Sequence, residues 1–73
     1  MKSETIRNDV GLVIGYVEET PLRIDYRSLG YGIVGYYDKQ SKIYYRIRPI
    51  PGKPSMTMYG DMGMADLRYW DGK

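Results

Sequence analysis

Six consecutive residues, Val13-Ile14-Gly15-Tyr16-Val17-Glu18, return twenty positions later as Ile33-Val34-Gly35-Tyr36-Tyr37-Asp38. In a chain of 73 residues, a repeat of that size decides most of the architecture. Each copy follows a turn ending on glycine, Asn8-Asp9-Val10-Gly11 in the first and Arg27-Ser28-Leu29-Gly30 in the second. Glycine accepts the left-handed backbone that tight hairpin turns require. The unit therefore reads as strand, tight turn and second strand, and its repetition predicts hairpins standing side by side.

Thr5-Ile6-Arg7 enters the first turn, and Leu12 to Glu18 leaves it as a run of β-forming residues. Leu22-Arg23-Ile24-Asp25-Tyr26-Arg27 then alternates apolar with polar, predicting a strand whose inward set is Leu22, Ile24 and Tyr26. Tyr31 to Asp38 is its partner. Ile43-Tyr44-Tyr45-Arg46 repeats Ile24-Asp25-Tyr26-Arg27 at an offset of nineteen and opens a third unit. Where a turn should follow, the chain inserts Pro49-Ile50-Pro51-Gly52-Lys53-Pro54, and prolines cannot sit in a central strand. The expected units are 5–19, 22–38 and 43–61 of a single domain spanning 1–73, with a short helical turn near 62–67 and a final strand at 67–70. The predicted class is all-β, repeated short antiparallel hairpins forming a small barrel- or flower-like domain. Gly15 and Gly35, inside strands, are expected at bulges or beneath an aromatic ring.

Composition narrows the function. A domain of this size buries only about 60% of the surface that its unfolded chain exposes. Cysteine and histidine are both absent, so disulfides, thiol nucleophiles and the common zinc sites are excluded. Oligomerisation is the remaining way to enlarge the core, and nine tyrosines, five methionines and one tryptophan suit an interface. Eleven basic against nine acidic residues give a net charge of +2, a weak footprint for a nucleic-acid binder. No apolar run is long enough to span a membrane, and the expected location is cytoplasmic, with no membrane partner.

The segment Ile6-Arg7-Asn8-Asp9-Val10-Gly11-Leu12-Val13-Ile14-Gly15-Tyr16, with Gly35-Tyr36-Tyr37-Asp38 and Tyr59-Gly60-Asp61, resembles small bacterial and phage proteins built from repeated Asp-x-x-Gly β-hairpins. The resemblance covers residues 5–61 and is similar to a β-flower, in which hairpins surround a pseudo-fourfold axis. It implies a fold and an accessory role of phage or mobile-element origin, and no activity. In the second unit Leu29 stands where the pattern has Asp.

Carboxylates fall at or beside turns, where Asp ordinarily bonds its own backbone, so the chain is expected to be non-catalytic and without a cofactor. The string Gly30-Tyr31-Gly32-Ile33-Val34-Gly35 matches a loose dinucleotide fingerprint, but strand formers stand where the fingerprint needs a helix. The insertion that breaks the repeat, Pro49, Pro51 and Pro54, precedes a methionine-rich stretch. Those prolines with Met56, Met58, Tyr59, Met62, Met64 and Trp70 are the expected contacts for a second copy or another protein. The alternative is a single-stranded nucleic-acid platform, with Tyr44, Tyr45 and Tyr69 stacking bases and Arg46 and Arg48 holding phosphates.

Overall fold

The computed structural model describes residues 2–52, 56–57 and 61–71. Six strands run antiparallel in sequence order: β1 Lys2–Arg7, β2 Val13–Glu19, β3 Arg23–Ser28, β4 Gly32–Asp38, β5 Ile43–Arg46 and β6 Met56–Thr57. A helix, α1 Asp61–Asp71, crosses one face of this meander and packs chiefly on β3 and β4. Short antiparallel hairpins are thus the architecture, but the sheet is open. Between the described strands β1 and β6 no pairing closes a barrel or flower. The helix covers one face instead, and the outer strand β1 is nearly all exposed.

The repeat is visible as a repeated defect. Ile6 pairs with Gly15 and Arg7 with Val13, leaving Ile14 as an extra residue in β2. Tyr26 pairs with Gly35 and Arg27 with Ile33, leaving Val34 as the extra residue in β4. Both extra residues are buried, at 3% and 0% exposure, so each bulge turns one apolar side chain into the core. The adjoining glycines are fixed by what lies over them. A Cβ on Gly35 would stand 2.2 Å from the Tyr44 hydroxyl, and one on Gly15 would stand 2.1 Å from the Arg27 carbonyl oxygen. Both glycines adjoin a bulge, as expected, but the aromatic account holds for Gly35 alone, since Gly15 lies against the Arg27 carbonyl and Leu67.

Register corrects two sequence readings. Gly15 faces Ser28 and Gly35 faces Arg46, so Tyr26 is the structural counterpart of Tyr44, an offset of eighteen. The nineteen-residue match aligned Tyr26 with Tyr45, which points to the other face, because a slip of one residue reverses every side chain. Leu22 is 76% exposed and does not belong to the inward set, because β3 begins only at Arg23. The second turn also closes two residues later than expected, at Gly32 in place of Gly30: Gly32, at φ 72°, takes the left-handed conformation that Gly11, at φ 89°, takes in the first.

Residues 67–70 are helical, where a final strand was expected. The stripe facing the sheet is Gly63, Asp66, Leu67 and Trp70, at the i, i+3, i+4, i+7 spacing of a helix face. A hydropathy reading misses it, since glycine and aspartate count against burial. Gly63 faces the sheet because the Tyr26 ring fills the space its Cβ would need. The core is Tyr26, Val34, Tyr44 and Leu67, with the Tyr26 and Tyr44 rings edge to face at 5.9 Å.

Candidate interaction surface

Asp66 locks the helix to the sheet. Its carboxylate accepts from the Tyr44 hydroxyl at 2.5 Å, and from Arg46 Nε at 2.6 Å and an Arg46 terminal nitrogen at 3.1 Å. The Arg46 and Asp66 side chains are 1% and 4% exposed, so the charges are withdrawn from water together. Burial and the neighbouring carboxylate push the Tyr44 phenol far above the ordinary tyrosine range. The hydrogen bond to Asp66 likewise raises Arg46, which stays charged. Every strong group here is occupied by another, and the cluster serves as a clamp.

The uncovered face of the sheet carries a ladder. Arg23 on β3 lies over the Tyr36 ring on β4 at 4.7 Å, and Tyr36 stacks on Tyr45 of β5 at 5.2 Å. Arg27 binds Glu18 at 2.6 Å, and Arg23 Nε lies 2.9 Å from Asp25 Oδ1, an ionic contact without hydrogen-bond geometry. A hollow of about 510 Å³ beside it, bordered by Leu22, Arg23, Tyr36 and Lys39, offers two cations that are already paired, Arg23 with Asp25 and Lys39 with Glu19. Among the described residues, no group of three acidic side chains is placed to hold a metal ion.

The hairpin ends differ. At the end bearing the 20–22 and 39–42 turns, polar side chains tie the backbone: Thr20 Oγ1 accepts from the Leu22 and Arg23 amides, and Asp38 Oδ1 from those of Gln40 and Ser41. At the other end Asn8 Oδ1 does the same for Val10 and Leu12, at 3.0 Å each. Beside the charged Asp9 and Arg48, however, this end presents four exposed apolar side chains, where the described residues of the first end present Leu22. Val10, Leu12, Leu29 and Ile47 are 77%, 65%, 62% and 51% exposed. The bulges place two of them. The Ile14 carbonyl accepts from the Leu29 amide at 3.1 Å, and the equivalent Val34 carbonyl accepts from Ile47 at 2.9 Å. Behind Leu29, a cleft of about 190 Å³ is lined by Val13, Tyr31 and Trp70.

The residues expected to make contacts are dispersed. Pro49 and Pro51 are exposed; Pro54, Met58 and Tyr59 lie outside the described residues, as does the side chain of Met56. Met62, Met64 and Trp70 pack half-buried against the core, although Trp70 also reaches the cleft beside Tyr31, with ring centroids 4.7 Å apart. The nucleic-acid set is divided. Tyr44 and Arg46 are buried under the helix, Tyr45 is on the uncovered face, Arg48 is exposed and donates to the Tyr31 carbonyl, and Tyr69 is half-buried on the helix. Sequence reasoning missed the apolar row itself. Its signal was present, since Val10, Leu29 and Ile47 flank the strands where polar turn residues are usual.

Comparison with family models, with curated proteins and with solved structures finds no match for this chain.

Proposed function

We propose that the protein is a non-catalytic assembly module whose binding surface is the apolar end of the sheet. One observation carries this reading: Val10, Leu12, Leu29 and Ile47 come from three separate segments, yet they are held exposed at one end of the sheet by backbone hydrogen bonds. Exposed apolar patches rimmed by polar groups mark sites of association. The buried ionisable groups support a structural role, with Asp66 engaged by Tyr44 and Arg46. The partner is a protein surface, either another copy or a different chain.

The test is a variant with all four residues changed to serine, followed by sedimentation velocity from low to high salt. The wild type is expected to associate almost independently of salt, and the variant to sediment as a monomer with unchanged circular dichroism. Association of the variant at wild-type strength would defeat the reading.

A further inference from the structure

The apolar end has an order that is its own complement. Strands are spaced about 4.8 Å apart, so along this edge the β1–β2 turn, the β3–β4 turn and the segment after β5 follow one another at intervals of roughly 10 Å or less. Leu29 lies in the middle turn. On one side stand Val10 and Leu12 with the acid Asp9, and on the other stands Ile47 with the base Arg48, whose guanidinium is held against Tyr31.

Among the described residues, the other basic side chains toward this edge are engaged within the chain or carried by the helix. Arg7 donates to the Gly11 carbonyl at 2.8 Å, Arg27 binds Glu18, Arg46 binds Asp66, and Arg68 lies on the helix. Rotating a second copy by a half turn about an axis through Leu29 sets Leu29 on Leu29, Val10 and Leu12 on Ile47, and Asp9 beside Arg48, each contact occurring twice. Two-fold dimers require such self-matching of one patch, and an acid and a base on opposite sides of an apolar centre satisfy it.

We infer that the occupant of the apolar end is a second copy of this chain, joined end to end by a two-fold axis at Leu29 with Asp9 of one copy facing Arg48 of the other. The inference rests on the reading of this end as the binding surface, and it adds the partner and the pairing. The dimer enlarges a small core without disulfide or metal. Its strength lies in the apolar row, and the charges set the register.

Sedimentation equilibrium on the full chain tests it. Leu29→Arg places two like charges on the axis and is expected to weaken the dimer about thirtyfold or more. Leu22→Arg, at the opposite end and 76% exposed, is expected to leave it unchanged. Asp9→Arg and Arg48→Asp should each weaken it about three- to tenfold, while the double variant, or an equimolar mixture of the two singles, should restore it. Failure of the mixture to recover, with Leu29→Arg still dissociating the dimer, overturns the two-fold pairing and leaves the binding surface standing. A wild type that stays monomeric while the same end binds a different protein or an anionic vesicle overturns the second copy as occupant. No loss on Leu29→Arg overturns both.

Discussion

The two faces of the sheet are written with the same residue types and do different work. Beneath the helix, Tyr44 and Arg46 converge on Asp66, and water is excluded. On the uncovered face, Tyr36, Tyr45, Arg23 and Arg27 form a ladder of stacks and ion pairs whose members stay partly wet. Solvent access separates them: a buried ion pair leaves a stranded charge when broken, whereas a surface pair is replaced by water.

The strongest way to break this comparison is to remove one member of the clamp. Arg46→Met or Asp66→Asn is expected to cost about 3–5 kcal/mol, read from urea unfolding, since each leaves the other group buried without its counter-charge. The double change Arg46→Met with Asp66→Leu should recover part of that loss. Single variants that unfold like the wild type would mean that the cluster is solvated.

The next effect is in pH. Folding holds the Tyr44 phenol protonated, far above its ordinary value of 10.0. A group whose folded pKa is raised contributes stability that is complete below the unfolded value and lost as pH rises beyond it. The protein should therefore weaken above about pH 10, and Tyr44→Phe should flatten that decline. Spectrophotometric titration checks it, because the Tyr44 signal should appear only with unfolding. Tyr44→Phe itself should cost about 1–3 kcal/mol, as a hydrogen bond to a charged group is lost.

The smallest effects belong to the uncovered face. Glu18→Gln should cost about 0.2–1 kcal/mol and lose even that at high salt. Glu19, which pairs with Ile24 at the end of β2 and so belongs to the other face, is also exposed in its ion pair: its carboxyl, held below its usual range chiefly by Lys39, adds stability above its ordinary pKa that fades as pH falls through the lowered one. A Glu18→Gln loss as large as that of Asp66→Asn would erase the distinction between the faces.

The repeat made the hairpin order of the first four strands legible from residues alone, because period-two patterns and glycine turns are local signals. What escaped were features that depend on partners. Asp66 looks like a solvated helix residue until Arg46 and Tyr44 stand beside it, and Gly63 looks like a helix breaker until the Tyr26 ring occupies its face. The alignment of the third unit slipped by one because the hairpin after β4 closes at Asp38, three residues past Gly35, whereas the hairpin after β2 closes at Glu19, four residues past Gly15. The apolar end was overlooked for the same reason: its members are remote in sequence and meet only through the meander.

The bulges at Ile14 and Val34 have one more consequence. The carbonyls of Ile14 and Val34 grip the backbone of Leu29 and Ile47 and ignore their side chains. The frame of the apolar end is therefore set by the buried half of the molecule, while its chemistry is set by residues that the fold leaves open to change. Substitution at these two positions is therefore expected to change the surface of that end while leaving the fold in place.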